Sequence, residues 1–211
     1  MTFTTRQDAG QKLGRYLQHE GIDPDIVLGL PRGGVVVAAE VAHVLHRPLD
    51  VLIVRKIGHP QHREFAVGAM AEGDVVVFDE KNLGRNPIVR AKLKDVVHEE
   101  AERLWQYQLK FHRDGRRELA GKKVLLVDDG LATGATTEAA VLSVRKQDAA
   151  EVIVATPVAS SNAVERLERV ADRVLALWVD PDFEAVGRYY DFFTQTTDEE
   201  VLEVLKGVSS Q

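Results

Sequence analysis

Five short runs rich in valine, isoleucine and leucine are the feature that most constrains the fold of this chain. Each run is nearly continuous in apolar residues, a pattern that favours parallel strands buried on both faces. Apolar residues at helical spacing lie between the runs, so strands and helices are predicted to alternate. This order predicts an α/β fold with a doubly wound parallel sheet of about five strands. The predicted strands are residues 26–30, 51–54, 124–127, 152–156 and 174–178, and the predicted helices include residues 34–45, 136–146 and 161–170.

Composition excludes several classes of function. The chain has 211 residues, of which 45% are apolar, and acidic residues outnumber basic ones by 33 to 27, for a net charge of −6. Nonspecific nucleic-acid binding depends on a basic surface, so no nucleic-acid partner is predicted. The chain has no cysteine, which excludes disulfides and thiolate chemistry. No apolar run approaches the roughly 18 residues that span a bilayer, and residues 1–20 carry no signal-peptide core, so a cytoplasmic protein without a membrane partner is predicted.

Two segments fall outside the alternation of strands and helices. Residues 65–70 and 75–78 are predicted to form a hairpin around the turn Glu72-Gly73-Asp74. Residues 87–113 carry apolar side chains with the period of a helix and are predicted to form one long helix, either a scaffold or a subunit contact.

The aromatic tail suggests a division of the chain into two parts. The first part is a core over residues 1–180, which includes a loop at residues 57–64 and the long helix. The second part is a small hood over residues 181–211, with or without residues 1–20.

The most informative segment, residues 124–137, joins an apolar run to two aspartates and a turn rich in threonine and glycine. Gly134 in this turn allows close backbone approach, and the helix predicted after it begins with N–H groups that have no intrahelical partner. Such a helix start binds phosphate, and three threonine hydroxyls add further donors. The adjacent carboxylates of Asp128 and Asp129 would repel phosphate, but they can accept hydrogen bonds from the vicinal hydroxyls of a ribose. The segment is therefore predicted to bind a phosphorylated sugar.

This segment resembles the phosphoribosyl-pyrophosphate motif of the type I phosphoribosyltransferases, which is an apolar strand, two acidic residues, a short turn and then Thr-Gly-x-Thr. The resemblance implies that Asp128 and Asp129 hold the ribose hydroxyls, directly or through Mg²⁺, and take part in catalysis. It assigns the 5′-phosphate to Ala132, Thr133, Gly134, Ala135, Thr136 and Thr137. At the position of Ala132 the 6-oxopurine enzymes of the family carry an aspartate, whereas adenine- and uracil-type members carry alanine. A hypoxanthine or guanine acceptor is therefore disfavoured.

Two basic segments match the family in order and spacing. Residues 28–34, Leu-Gly-Leu-Pro-Arg-Gly-Gly, resemble its pyrophosphate loop, which implies pyrophosphate contacts for Pro31, Arg32, Gly33 and Gly34. That loop often contains a non-proline cis peptide in the family, and the bond between Pro31 and Arg32 is the candidate here. Arg55 and Lys56 follow the second predicted strand, where a basic residue of the family reaches the pyrophosphate, so both are candidate catalytic residues.

Two further segments are candidates to complete the site. Residues 57–64 resemble the family's flexible loop that closes over the active site, and the candidates there are His59, His62, Arg63 and Glu64. Aromatic rings of the tail can stack a flat base, and the candidates there are Phe183, Tyr189, Tyr190 and Asp191. The alternative is that these aromatic residues pack a small hydrophobic cluster of their own, and the sequence leaves both interpretations open.

The wider pattern, residues 6–204, is similar to a subgroup of predicted bacterial phosphoribosyltransferases without a settled substrate. The implied reaction transfers ribose 5-phosphate from phosphoribosyl pyrophosphate to a nucleobase or related heterocycle, with Mg²⁺ on the diphosphate and the ribose hydroxyls. No residue is assigned as a dedicated metal ligand. The alternative is a regulatory protein of the same fold that senses phosphoribosyl pyrophosphate or a nucleotide with little catalysis. A homodimer is the assembly common in the family.

Overall fold

The computed structural model of the protein describes residues 2–84, 87–112, 115 and 117–208. In chain order the strands are β1 (Ile26–Gly29), β2 (Leu49–Val51), β3 (Val54–His59), β4 (His62–Ala71), β5 (Val75–Phe78), β6 (Lys123–Val127), β7 (Glu151–Ser160) and β8 (Arg173–Asp180). The helices are α1 (Arg6–His19), α2 (Gly33–Leu45), α3 (Glu80–Leu83), α4 (Pro87–Phe111), α5 (Ala135–Lys146), α6 (Ser161–Leu167) and α7 (Asp198–Val208), and a short 3₁₀ helix covers Val186–Tyr189. Among these described helices, none is both long and apolar enough to cross a membrane.

The central sheet has five strands in the order β2-β1-β6-β7-β8, and every neighbouring pair is parallel. This arrangement confirms the predicted doubly wound α/β fold. The chain runs outward from β1 to β2 on one side of the sheet and from β6 to β8 on the other, so the strand order reverses between β1 and β6. In open sheets of this kind, ligands bind in the crevice formed by the loops that follow the two strands at the reversal. The fold therefore places a candidate site at the segments after Gly29 and after Val127.

Strand β6 shows why the apolar runs of the sequence are continuous rather than alternating. Leu125 and Val127 face one side of the sheet, where they join a hydrophobic cluster with residues of α1 and α2. Val124 and Leu126 face the other side and pack with residues of α5 and α6. All of these side chains are fully buried, as expected for a strand covered by helices on both faces.

The second sheet is antiparallel, in the order β3-β4-β5, and packs against α4 and α5. The single strand predicted over residues 51–54 differs from the structure, because the chain leaves the central sheet after Val51 and enters the second sheet at Val54. Between these points the N–H of Ile53 donates to the carboxylate of Glu72 over 2.8 Å. A buried apolar run is compatible with either course, and this long-range hydrogen bond fixes the change of direction.

The predicted hairpin between residues 65 and 78 is present, but its first strand is longer than expected. Strand β4 begins at His62 and pairs with β3, so residues 57–64 form the tip of an antiparallel hairpin rather than an open loop. The long helix, α4, is also present and ends at Phe111. Arg113, the residue predicted to end it, lies outside the described residues.

The segment before α1 and the aromatic tail meet beside β7. Phe3 forms a parallel bridge with Tyr190, and the N–H of Phe3 donates to the carbonyl of Tyr189 over 2.7 Å. Both tyrosines and Phe3 are buried in a small cluster with Val158 of β7. The hydroxyl of Thr5 then accepts the N–H of the third residue of α1 and caps the helix, which fixes where α1 begins.

Candidate active site

The loops that follow β1 and β6 meet at the point where the strand order reverses. The N–H of Leu30 donates to the carbonyl of Val127 over 3.0 Å, which holds the two loops side by side. A cavity of about 250 Å³ opens at this edge of the sheet. Its wall is formed by residues 30–33, Val54, Lys56, residues 128–134, Thr136, Thr137 and Val186. Separate segments of the chain thus contribute to one cavity, and most of them carry motifs recognised in the sequence.

The loop between β6 and α5 has the backbone of an anion site. Gly134 has a φ of 71°, a left-handed value that favours glycine, and α5 begins at the next residue. The first N–H groups of α5 have no intrahelical partners, and Thr136 and Thr137 at this helix start line the cavity. The hydroxyl of Ser160 donates to the carbonyl of Ala132 over 2.6 Å and so fixes the loop. This arrangement suits a phosphate group.

The structure brings together the residues predicted to bind phosphate. Those that line the cavity are Ala132, Thr133, Gly134, Thr136 and Thr137. Ala135 begins α5 instead, and its N–H donates to the hydroxyl of Thr133 over 3.4 Å. Ser160 was not predicted, because a serine at the end of an apolar strand has no local pattern that marks it. Its hydroxyl also accepts the N–H of Ala163 over 3.0 Å, so one side chain caps α6 and supports the loop.

Asp128 and Asp129 follow β6 directly and line the same cavity. The N–H of Asp129 donates to Oδ1 of Asp128 over 2.9 Å. Burial, followed by the charge of Asp129, raises the pKa of Asp128 above its ordinary value, while the charge of Lys56 acts in the opposite direction. The pair therefore offers closely spaced hydrogen-bond acceptors to a ligand with several hydroxyl groups.

The carboxylate of Asp129 is held by an arginine that no sequence motif marks. Arg6, the first residue of α1, donates from Nε to Oδ2 of Asp129 over 2.7 Å. The two side chains are only 10% and 15% exposed, so the ion pair is shielded from water. In the sequence Arg6 is one of many cations near helix ends, and only the fold brings it across 123 positions to its partner.

The predicted pyrophosphate loop forms another wall of the cavity. The peptide bond between Pro31 and Arg32 is cis, and both residues line the cavity together with Gly33. Gly34 lies behind them, where a Cβ atom would come within 2.8 Å of Oδ1 of Asp128. A glycine at this position therefore lets the loop approach the carboxylate pair closely.

Arg32 is also tied to the helix at the end of the described chain. Its guanidinium lies 3.7 Å from the carboxylate of Asp198 at the start of α7. Asp198 accepts a hydrogen bond, over 2.7 Å, from Lys110 of α4, and this bond raises the pKa of Lys110. The sequence did not predict Asp198 as part of the site, because its partners are distant along the chain.

The structure separates the two basic residues predicted to reach the pyrophosphate. They are neighbours in β3, and neighbouring side chains of a strand point to opposite faces. Lys56 lines the cavity. Arg55 faces α4, where its guanidinium donates to Glu100 over 2.8 and 2.9 Å and lies above the ring of Tyr107. Lys56 is therefore the member of the pair that can meet a ligand in this cavity.

The hairpin tip, residues 57–64, does not line the cavity in this structure. The rings of His59 and His62 stack across the tip with centroids 5.8 Å apart. Arg63 pairs with a glutamate of α4, and Glu64 is exposed. These candidates thus lie away from the cavity, and closure of the segment over a ligand stays a prediction.

The candidates in the aromatic tail pack mainly among themselves. Phe183 stacks on Tyr189 with ring centroids 5.2 Å apart, and the hydroxyl of Tyr189 donates to Asp180 over 2.7 Å. Tyr190 is buried beside Phe3. The small hydrophobic cluster that the sequence left open as an alternative is therefore present.

The tail nevertheless reaches the cavity through one aliphatic residue. Val186 of the 3₁₀ helix lines the cavity and packs over Gly130, where a Cβ atom would come within 2.5 Å of the valine side chain. Asp191 is exposed, and its N–H donates to the carbonyl of Phe3 over 2.8 Å. Val186 was not predicted, because a single valine among aromatic residues carries no signal of a ligand contact.

Comparison with known families shows which protein family the chain belongs to. The model of the phosphoribosyl transferase domain family matches residues 6–191. The chain belongs to this family. The matched region includes every segment that lines the cavity, so the family inferred from the motifs is confirmed.

Relatives and a solved structure show how far the similarity extends. The chain is 40% identical over 204 residues to "Putative phosphoribosyl transferase Rv0571c" of Mycobacterium tuberculosis (strain ATCC 25618 / H37Rv). The aligned residues cover 96% of this chain and 46% of that protein. The chain thus spans about half the length of the curated relatives that it matches. The crystal structure of TT1426 from Thermus thermophilus is similar with a TM-score of 0.80 and 43% identity, covering 97% of this chain and 98% of that one.

The two carboxylates of the cavity are the side chains that could hold a magnesium ion. The described residues contain no group of three or more histidine, aspartate or glutamate side chains that could hold a metal. The cavity has two adjacent carboxylates, of which Asp129 is already engaged with Arg6. Mg²⁺ commonly keeps several waters and binds through one or two carboxylates plus substrate phosphates. Asp128 and Asp129 could therefore hold Mg²⁺ only together with waters or a phosphorylated ligand.

Proposed function

We propose that the protein transfers ribose 5-phosphate from phosphoribosyl pyrophosphate to a ring nitrogen of a nucleobase or related heterocycle. The observation that carries this proposal is the single cavity after β1 and β6, which is lined by a helix start, a pair of carboxylates and two cations. These groups match the three parts of the sugar substrate, which are its 5′-phosphate, its ribose hydroxyls and its diphosphate.

Each wall of the cavity has a role in this proposal. Residues 133–137 bind the 5′-phosphate through N–H groups and threonine hydroxyls at the start of α5. Asp128 and Asp129 accept hydrogen bonds from the ribose hydroxyls. Arg32 and Lys56 bind the diphosphate, and the start of α2 directly after Arg32 adds the positive end of a helix dipole on the same side.

The proposed chemistry depends on stabilising charge rather than on a protein nucleophile. The bond between the anomeric carbon and the diphosphate breaks with its electron pair on the departing oxygen. A bond from that carbon to the acceptor nitrogen forms, and the proton of that nitrogen passes to solvent. The sugar is oxocarbenium-like in the transition state, as in glycoside cleavage, and negative charge grows on the leaving diphosphate. Arg32 and Lys56, which both line the cavity, are proposed to stabilise this growing charge. Mg²⁺, when bound to the diphosphate, would supply additional positive charge there.

The acceptor is proposed to lie against the apolar part of the wall. Leu30, Val54, Leu131 and Val186 line the cavity beside its polar groups. A flat heterocycle can pack on aliphatic side chains while its polar edge meets a few main-chain or side-chain groups. Ala132 places no carboxylate at the turn, so a 6-oxopurine is not the expected acceptor.

The hairpin tip at residues 57–64 is proposed to close over the cavity when the sugar substrate is bound. The tip continues the strand that carries Lys56, so a hinge movement of this hairpin would bring its polar residues toward the diphosphate. Such closure would exclude water, which otherwise hydrolyses the activated sugar.

Two measurements, a binding measurement and then a turnover measurement, test the proposal. Calorimetry with phosphoribosyl pyrophosphate and Mg²⁺ tests the cavity, and ligand at about 100 times its dissociation constant should add about 2.7 kcal/mol of stability. Pyrophosphate release with a panel of bases tests the transfer, and the expected result is that one base yields its nucleotide. Failure of the sugar substrate to bind would contradict the assignment of the cavity. Binding without turnover of any base would contradict the transfer and favour a sensing protein.

A further inference from the structure

The side chain of Arg6 is held at three points, and only one of them is the carboxylate of Asp129. Its Nε donates to Oδ2 of Asp129 over 2.7 Å, and its Nη1 donates to the carbonyl of Thr194 over 2.7 Å. The guanidinium also lies above the ring of Phe193, 3.9 Å from the ring centroid. A planar group with donors on two edges and a flat face is required for this combination, and only arginine provides it.

The space for this ion pair comes from the pyrophosphate loop. A Cβ atom at Gly33 would lie 2.1 Å from Oδ2 of Asp129 and 2.6 Å from Nε of Arg6, far inside van der Waals contact. Gly33 lines the cavity, and so does Asp129. The pair of charges is therefore packed directly under the loop, and the same carboxylate contacts both Arg6 and the cavity.

A role in folding alone does not account for this geometry. An arginine in the first turn of a helix could remain in solvent at little cost, whereas burying a guanidinium beside a carboxylate gains little net stability. The result of the burial is that the orientation of Asp129 is fixed before any ligand arrives. Preorganised acceptors of this kind favour a bound sugar because the protein does not have to reorganise on binding.

We propose that Arg6 is a positioning residue, which holds Asp129 in the orientation that binds the ribose hydroxyls. This inference rests on the proposed function, since it assigns the ribose to Asp129. It adds α1 and the tail around Thr194 to the elements that determine sugar binding. It also accounts for glycine at position 33, where any side chain would displace the ion pair.

The inference is tested with Arg6→Gln, Arg6→Lys and, as a matched control on the exposed face of α1, Arg15→Gln. Calorimetry measures the dissociation constants of phosphoribosyl pyrophosphate, ribose 5-phosphate and inorganic pyrophosphate, all with Mg²⁺. Arg6→Gln should weaken the two ribose-containing ligands at least about tenfold and change pyrophosphate binding less than about twofold. Arg6→Lys keeps the charge but not the planar fork. Its affinities for the two ribose-containing ligands should lie between those of Arg6→Gln and those of the unchanged protein. Arg15→Gln should leave all three constants unchanged.

The outcomes separate this inference from the proposed function. If the unchanged protein does not bind phosphoribosyl pyrophosphate, the proposed function fails and the inference fails with it. If it binds, but Arg6→Gln leaves ribose 5-phosphate affinity unchanged, only the inference is overturned. An equal loss for pyrophosphate and ribose 5-phosphate also overturns it, because that pattern indicates a general loss of structure. If Arg6→Gln does not fold, the ratio of the two affinities in Arg6→Lys decides in the same way.

Discussion

The hydroxyl of Tyr190 donates a hydrogen bond to the main-chain carbonyl of Asp129 over 2.6 Å, so a residue of the tail supports the strand end that carries the carboxylate pair. Tyr190 is only 6% exposed, and burial raises the pKa of its hydroxyl well above the ordinary value. The hydroxyl therefore stays protonated, and remains a donor, at neutral pH.

Tyr190→Phe keeps the ring in its cluster and removes only this donor. Loss of a buried hydrogen bond should lower the free energy of unfolding by about 1 kcal/mol, measured by urea denaturation. Because the carbonyl belongs to Asp129, affinity for phosphoribosyl pyrophosphate should also fall, by about threefold to tenfold in calorimetry. Ser143→Ala is the matched control, since it removes a buried hydroxyl that donates to the carbonyl of Glu72. An equal loss of affinity in both variants would contradict a specific effect at Asp129.

Removing both carboxyl groups of the pair tests the central assignment. Asp128→Asn combined with Asp129→Asn keeps the shape of the side chains but replaces the carboxyl groups with amides. Affinity or turnover with phosphoribosyl pyrophosphate should fall at least about tenfold, equivalent to about 1.4 kcal/mol. Calorimetry and pyrophosphate release provide the two measurements. Unchanged values would show that the ribose does not contact this pair.

Substitution of the two neighbouring cations of β3 should have different effects, because their side chains face opposite sides of the strand. Lys56→Ala should weaken pyrophosphate binding at least about tenfold and have a smaller effect on ribose 5-phosphate. Arg55→Ala should mainly lower stability, by about 1–2 kcal/mol, because Glu100 would lose one of its two arginine partners. Calorimetry with both ligands and urea unfolding of both variants separate the two effects. A larger loss of pyrophosphate affinity in Arg55→Ala than in Lys56→Ala would reverse the assignment.

An ion pair far from the cavity should contribute to the pH dependence of stability. Asp172 accepts hydrogen bonds from Arg145 over 2.9 Å and from the N–H of Val152 over 2.7 Å, and the bond from Arg145 chiefly lowers the pKa of Asp172. A carboxyl group with a lowered folded-state pKa stabilises the fold above its unfolded-state pKa, and this stabilisation is lost as the pH falls through the folded-state pKa.

Asp172→Asn should therefore be less stable than the unchanged protein at pH 7, and the difference should shrink as the solution is acidified below the ordinary pKa of aspartate. Both partners are partly exposed, so the difference should be modest and should decrease at high salt. Urea unfolding at several pH values measures it, with Asp95→Asn on the exposed face of α4 as the control. A constant difference across the acidic range would mean that the charge of Asp172 is not the source.

The fold could be predicted because its central strands are covered on both faces. All four apolar side chains of β6 are buried, so its sequence is continuously apolar. A strand with one face in solvent would instead alternate apolar and polar residues. The loop between β6 and α5 could be predicted as part of a candidate site for a similar local reason, since Gly134 and the carboxylates of Asp128 and Asp129 lie within a few residues of one another in the chain. Where the signal was local, the sequence was sufficient.

The remaining features of the fold and of the candidate site depend on contacts between residues that are distant in the chain. The opposite directions of Arg55 and Lys56 follow from a strand that begins at Val54, because the chain is redirected where Ile53 bonds to Glu72. Arg6 and Asp198 show no local pattern that separates them from other charged residues at helix ends. Their roles emerge only when α1 and α7 are packed against the loops of the cavity.

The bridge between Phe3 and Tyr190 has a consequence for how the protein withstands proteases. The segment around Phe3 leads into Arg6, and Tyr190 contacts Asp129, so local opening of either segment would release a group that supports the carboxylate pair. A ligand that requires the supported carboxylates would then make this opening rarer, because binding stabilises the closed form alone. Cleavage within these two segments should therefore slow as the sugar ligand approaches saturation.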